Sequence, residues 1–406
     1  MTAPEVVGEI WRNEAARLVA GLTRMTRDLG LAEDLAQDAL VSALEQWPQQ
    51  GVPDNPGAWL MAVSKRRAID HFRRAARFRS VAPYLAAEAV VPDLDAAIDH
   101  IEDDVLRLMF VACHPLLTRE TRVALTLRLV GGLSTREIAR AFLSTEPTVA
   151  QRISRAKRTL ASAAVPFEVP SGPERPERLA SVLEVVYLVF NEGYAATAGD
   201  DWLRPALCDE ALRLGSLLAS LAPREPEVHG LLALMQLQAS RGPARVGPGG
   251  EPVLLREQDR SRWDQDLIAA GLASLTRAGD GPYALQAAIA ACHAVAPSVA
   301  GTDWVRIAGL YEQLAISTGS PVVELNRAVA VAQAYGPEAG LRIADGLLDL
   351  RAMRDYHLLP SVRGELLSSL GRESEARAEY ARAAGLATNE QEKALLLRRA
   401  SGSPDR

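Results

Sequence analysis

The stretch "LSTREIARAFLSTEPTVAQRISRAKRTL", from Leu133 to Leu160, leaves the chain little conformational freedom. Ser134 stands three residues before Glu137, the spacing of a reciprocal capping box, and this predicts a helix starting at Thr135. Ile138, Ala139 and Phe142 form its inner face, and Leu143–Ser144 is a short turn. Thr145 is placed to cap a second helix, whose first turn tolerates Pro147 because the missing N–H would have no partner there. On that helix Val149, Ile153, Ala156 and Leu160 repeat as one buried stripe. Thr148, Gln151, Arg152 and Arg155 form a separate stripe, roughly a third of a turn away at about 100° per residue. Two readings are open at this point. The polar stripe is either the solvated face of an ordinary helical hairpin or a surface for the major groove of DNA. In the groove Arg would serve guanine edges, Gln adenine, and Thr methyl groups or phosphates.

Composition favours helices throughout. Apolar residues make up 48% of the 406, so real cores are within reach. Aromatics are only 5%, while Ala and Leu dominate. A net charge of −6 argues against nucleic acid on average, but the charge is unevenly placed. Between Met61 and Ser80 there are seven bases, Lys65, Arg66, Arg67, Arg73, Arg74, Arg77 and Arg79, against Asp70 alone. Between Asp93 and Asp104 there are six acids and no base. Local clusters decide phosphate binding, so the total excludes little. Cys113, Cys208 and Cys292 are odd in number and far apart, which implies no disulfide framework and fits a reducing compartment. Cys113–His114 and Cys292–His293 are adjacent pairs rather than metal-ligand spacings, so neither a metal nor another cofactor is expected. No apolar run reaches the ~18 residues of a membrane span, and Met1–Asn13 lacks a signal pattern. A cytoplasmic protein without a membrane partner is the expectation.

Along the chain, residues 5–80 read as three or four helices. In "LAEDLAQDALVSALEQW" Leu31, Leu35, Leu40 and Leu44 fall near one stripe, and "PQQGVPDNP" then breaks the pattern. "GAWLMAVSKRRAIDHFRR" resumes it, with Trp59, Ala62, Val63, Ile69 and Phe72 inward and the bases outward. Residues 81–104 read as an acidic linker and 105–165 as a second helical domain, closed by the Pro-rich "VPFEVPSGPERPE". Residues 178–400 are Ala/Leu helices punctuated by Gly and Pro. There Gly364, Gly371, Ala376, Tyr380 and Ala383 fall at offsets 0, 7, 12, 16 and 19, the small and aromatic positions of a tetratricopeptide helix pair. "PVVELNRAVAVAQAYGPEAGLRIADGLL" looks like a weaker copy. The expected fold class is therefore all-α.

Three segments in order, "GLAEDLAQDALVSALEQW", "NPGAWLMAVSKRRAIDHFRR" and "GGLSTREIARAFLSTEPTVAQRISRAKRTL", resemble the extracytoplasmic-function sigma factors of the sigma-70 family. The resemblance implies a sigma-2 domain over 1–80, a linker over 81–104 and a sigma-4 helix-turn-helix domain over 105–165. It implies core RNA polymerase and promoter DNA as partners, and no catalysis. On the matching positions, Asp34, Gln37 and Asp38 would face core polymerase. Asn55, Arg66, Arg67, Arg73 and Arg74 would engage a melted −10 element, where bases hold phosphates and pockets hold flipped bases. Thr148, Gln151, Arg152 and Arg155 would read the −35 element. "EVVYLVFNEGYAAT", "RGPARVGPGGEPVLLREQDRSRWD" and "SPVVELNRAVAVA" resemble the subgroup with a TPR-like C-terminal extension, here 178–400, which would regulate activity and bind a cytoplasmic protein. Two alternatives stand beside this: a stand-alone helix-turn-helix regulator, and an enzymatic or ligand-binding activity in the C-terminal half. For the latter, Asn191–Tyr194 ("NEGY") and the acids Glu257, Asp259 and Asp264 of "EQDRSRWD" are the groups to inspect, with a surface ion-pair network as the plainer reading. The Gly-Pro-rich loop Arg241–Pro252 reads as a lid or docking element, or as a loose insertion.

Overall fold

The computed structural model describes residues 3–81, 101–142, 144–194, 203–247, 253, 255–387 and 390–402. Among these every long element is an α-helix. The chain divides into two compact units, Met1–Leu188 and Val189–Arg406.

The first unit opens with α1 (Ala3–Thr26), α2 (Leu29–Gln50) and α3 (Pro56–Val81). Asp28 caps α2 by accepting from the N–H groups of Gly30 and Leu31, at 2.8 and 3.0 Å. Pro48 does not end α2 as expected: it sits in the last turn, and the helix stops at Gly51, whose φ of 85° suits glycine. The buried stripe of α2 also differs from the leucine pattern. Ala32, Leu35, Ala36, Ala39, Ala43 and Trp47 are buried, while Leu44 is 42% exposed. Alanines let α1 and α2 approach closely, and this close packing, not residue size, selects the inner face. On α3 the buried line is Leu60, Ser64 and Ala68. Trp59 is half-buried, edge-on to Trp47 at 5.3 Å, and Ala62 is exposed.

Of the expected linker, residues 82–100 lie outside the described residues. Its end is not linker: Ile101 starts α4 (Ile101–Ala112), and Asp104 is wholly buried there against Arg107 and Arg24. Val105, Leu106, Leu108 and Met109 are buried beside it, so an apolar face continues the helix back through the acidic residues. Then come α5 (Arg119–Leu129), α6 (Thr135–Ala141) and α7 (Glu146–Ser162). The Pro-rich segment after α7 is not where the compact units divide. It leads into α8 (Glu174–Tyr194), and the division falls within that helix. The first half of α8 is tied to α4 and α5. Arg178 donates to the Phe110 carbonyl at 2.9 Å, Ser181 to the Cys113 carbonyl, and Glu184 pairs with Arg119 and Arg122. Proline there marks a turn, while packing partners decide the boundary.

The second unit contains α9 (Pro205–Leu221), α10 (Pro226–Ala239), α11 (Gln265–Leu275), α12 (Pro282–Val295), α13 (Trp304–Thr318), α14 (Pro321–Tyr335), α15 (Pro337–Asp345), α16 (Leu358–Ser369), α17 (Glu373–Leu386) and α18 (Glu390–Ser401). From α13 onward each packs chiefly on its neighbours in sequence, the habit of stacked helix pairs. In the α16–α17 pair the predicted positions meet. Tyr380 is buried against Gly364, where a Cβ would stand 2.9 Å from the ring, and Ala376 and Ala383 are fully buried.

Candidate nucleic-acid interface

The helix pair α6–α7 forms as its caps dictate. Ser134 and Glu137 close the capping box: the Glu137 carboxylate accepts from the Ser134 N–H at 2.8 Å and the Ser134 hydroxyl accepts from the Glu137 N–H at 3.2 Å. Thr145 accepts from the Thr148 N–H at 3.3 Å and caps α7. Val149, Ile153, Ala156 and Leu160 are all buried. Gln151, Arg152 and Arg155 are exposed on the other side. Thr148 is half-buried, and its hydroxyl lies 2.7 Å from that of Thr145, so this residue contributes to the cap as well as to the polar face.

Helix α7 and the helices before it are clasped to α1 and α2. Glu33 of α2 is 5% exposed and takes Arg128 of α5 on one oxygen, at 2.6 Å, and Lys157 of α7 on the other, at 2.5 Å. Burial works against its charge, but Lys157 and Arg128 together outweigh burial and hold the carboxyl below the usual carboxylate range. Trp11 donates to the Gly132 carbonyl at 3.0 Å. Gly132 has φ of 69°, and a Cβ there would stand 3.3 Å from the Arg12 backbone, so glycine is required. Arg12 pairs with Glu137 at 3.1 Å. None of these partners was foreseen from local pattern, because they stand about a hundred residues apart.

The basic helix α3 divides its arginines. Arg66, Arg73 and Arg74 are exposed. Arg74 also donates to the Asp70 carbonyl at 3.2 Å. Arg67 is engaged within the fold: it donates to the Ser42 hydroxyl at 2.8 Å and pairs with Asp38 at 2.9 Å. Two residues expected to face different partners, Arg67 and Asp38, thus hold α2 to α3. Asn55 is exposed and caps α3, its side-chain oxygen accepting from the Ala58 N–H at 3.0 Å, which leaves its amide N–H groups outward. On α2, Asp34 and Asp38 are exposed and Gln37 is half-buried. The same face carries Val41 and Leu44, exposed at 50% and 42%, and of these Leu44 belonged to the leucine stripe. This face of α2 is thus polar at one end and apolar at the other.

The acids of the second unit do not converge. Asp259 accepts from Ser261, Asp264 caps α11, and Glu257 pairs with Arg256. They are caps and an ion pair, and only Glu257 fits the surface ion-pair network expected of all three. In "NEGY" Glu192 pairs with Arg204, and Tyr194 receives Arg241 on its hydroxyl and Arg245 over its ring at 3.5 Å. The Gly-Pro loop is therefore anchored at its start, and residues 248–252 lie outside the described residues. Burial pushes the Cys113 and Cys208 thiols up to about 12, so both stay protonated at neutral pH.

Residues 10–78 match the family described as Sigma-70 region 2, and residues 107–160 match Sigma-70, region 4. The extracytoplasmic-function RNA polymerase sigma factor SigL of Mycobacterium tuberculosis is 32% identical over 157 residues, 37% of this chain and 84% of that protein. The chain belongs to the extracytoplasmic-function sigma factors. The two matches cover α1–α3 and the helices that end in α7, so the sigma factor's region 2 and region 4 are the two helical groups that Glu33 clasps together. The probable sigma factor SigI of the same organism is 30% identical over 179 residues, 43% of this chain and 61% of that protein. Similarity also runs the whole length: an uncharacterized protein of Rhizobium meliloti (strain 1021) is 45% identical over 391 residues, 93% of this chain and 91% of that protein. Residues 178–279 match a family described as being of unknown function (DUF6596). No solved structure matches. Among the described residues no helix is long and apolar enough to cross a membrane.

Proposed function

We propose that this sigma factor binds core RNA polymerase through α2 and directs it to a promoter whose −35 element is read by α7. The observation that carries this is the two-faced α7. Val149, Ile153, Ala156 and Leu160 are buried, which fixes the helix rigidly, and Gln151, Arg152 and Arg155 project as one exposed stripe. Three such side chains at the start of a recognition helix are what base-edge readout requires. At the −10 element Arg66, Arg73 and Arg74 hold phosphates of the melted strand, with the Asn55 amide beside them. Arg67 acts there indirectly, by fixing α3 against α2. Core polymerase meets Asp34, Gln37 and the Val41–Leu44 patch, with Asp38 shared between that surface and Arg67. The protein works in the cytoplasm.

The extension regulates this activity through α8. Its first half is bound to α4 and α5 by Arg178, Ser181 and Glu184, so any change reaching α8 acts on the helices that support α6 and α7. A cytoplasmic protein is the partner proposed for the extension's TPR-like helix pairs. Run-off transcription with purified core polymerase and a promoter library tests the central reading. Promoter-specific transcripts from the full chain, lost in the Arg152→Ala/Arg155→Ala double variant while polymerase binding persists, are the expected result. Full activity in the double variant would remove α7 as the reader.

A further inference from the structure

The second unit holds a half-open cavity of about 570 Å³ that the sigma-factor reading does not use. It lies among the 255–262 segment, the end of α12, α13, α14, α16 and α18. Its size falls within the ~300–1,000 Å³ range of small-molecule sites, large enough for a compact ligand and too small for a folded partner. Leu255, Val299, Trp304, Val329, Val362 and Leu366 supply apolar wall. Set into that wall are Arg256, Arg260 and Arg399, with Glu365 as the one carboxylate among the described lining residues.

The charges do not cancel. Glu365 accepts from Arg256 on one oxygen, and from Arg399 and the Tyr380 hydroxyl on the other, at 3.0 and 3.1 Å. Glu257 adds a second negative charge on Arg256, at 3.2 Å. Among the lining residues three guanidinium charges against Glu365 and Glu257 leave about one positive charge, at Arg260, and the nearby Arg241 adds to the positive field there. Arg260 is held rigidly by neutral groups. It donates to the His293 and Ala296 carbonyls at 2.6 and 2.7 Å and lies over the Trp263 ring at 4.8 Å. No carboxylate among the described residues faces it. Next to it His293 lines the cavity, edge-on to Trp304 at 5.2 Å, with a buried Nδ1 that has no hydrogen-bond partner among the described residues. Burial, Arg241 and Arg260 press its pKa down to about 4, so the ring is neutral at pH 7 and adds no charge of its own to the site.

We propose that this cavity is a binding site for a small monocarboxylic acid, its anionic head at Arg260 and His293 and its apolar body against the Trp304, Val329 and Val362 wall. The positive charge at Arg260 calls for an anionic head, and a carboxylate can pair with a guanidinium through two parallel hydrogen bonds. The apolar lining excludes a ligand that is polar throughout. The proposal is independent of promoter recognition, because binding is measured without polymerase or DNA.

The test is isothermal titration of the full chain with decanoate, 4-phenylbutyrate and indole-3-acetate as carboxylate probes, and decanol as the neutral control. At least one carboxylate should saturate a single site, with decanol at least tenfold weaker than decanoate if decanoate is that probe. Arg260→Gln should weaken binding tenfold or more. Because Arg260 also holds two carbonyls, Val329→Trp serves as a second variant that fills the cavity and removes no hydrogen bond. It should abolish binding while circular dichroism stays that of the parent. Absence of saturable binding by all three carboxylates overturns the proposal. So does equal binding by decanol and decanoate, or undiminished binding in Val329→Trp.

Discussion

Replacing Glu33 by Gln should show how strongly region 2 and region 4 of this sigma factor are clasped. The parent carboxylate is almost fully buried and receives Arg128 and Lys157 on separate oxygens. The amide has nearly the same shape but carries no charge, so two cations lose their shared counter-charge in a half-dry setting. Removing one partner of a buried ion pair costs about 3–5 kcal/mol. For a unit of this size each kcal/mol moves the melting temperature by roughly 2–4 °C, so the first unit should melt about 6–20 °C lower. Calorimetry of the full chain checks this, with the second unit as an internal reference. Lys157→Met should be less severe, because Arg128 still meets the carboxylate, and the double variant should show coupling rather than additivity. The pH dependence has a definite sign. Glu33 has its pKa lowered in the folded state from an ordinary 4.5, so it binds fewer protons folded than unfolded. Its stabilisation is complete above the unfolded value and is lost as pH falls through the folded one. The difference between parent and Glu33→Gln should therefore be constant near neutrality and shrink below about pH 4.5. A difference under ~0.5 kcal/mol at pH 7, of the size expected for a surface substitution, would refute the argument that Glu33 joins α2 to α5 and α7.

Arg152→Ala and Arg155→Ala should each reduce affinity for the cognate −35 element by about 1–3 kcal/mol in a gel-shift or anisotropy assay of the polymerase complex, without lowering stability. Asp34→Arg with Val41→Asp should abolish co-purification with core polymerase while the protein stays folded; Asp38→Arg should do the same but also cost some stability, because it sets two arginines against each other on α2 and α3. Arg66→Ala with Arg73→Ala should slow promoter opening, read by permanganate footprinting, and make its dependence on salt shallower, because fewer phosphates are neutralised. Gly364→Leu should destabilise the second unit by about 1–3 kcal/mol, read by calorimetry, because the new side chain would strike the Tyr380 ring.

The parts of this protein that could be read from its residues alone are those governed by neighbours in sequence. The capping box at Ser134, the cap at Thr145 and the two stripes of α7 all arise from contacts within one or two turns, and each stands in the fold as the spacing requires. The Gly364–Tyr380 match was legible for the same reason, since a helix pair joined by a short turn keeps its register. The site residues were harder. Asn55 and Arg67 looked like free ligands for DNA, yet one caps its own helix and the other holds α2. A polar side chain looks the same in sequence whether its partner is a foreign phosphate or a carboxylate of the same fold. On α2 burial went to the small residues and left Leu44 outside, because close helix approach, not hydrophobicity, chose the face. Nothing in the sequence marked Glu33, Asp104 or Arg260 as buried and partnered within the fold. Their partners lie 95 residues away for Glu33 and Arg128 and 33 for Arg260 and the His293 carbonyl, and Arg24 meets Asp104 from a separate helix. Burying a charge is costly without a partner, so such residues become interpretable only once folding brings the partners together.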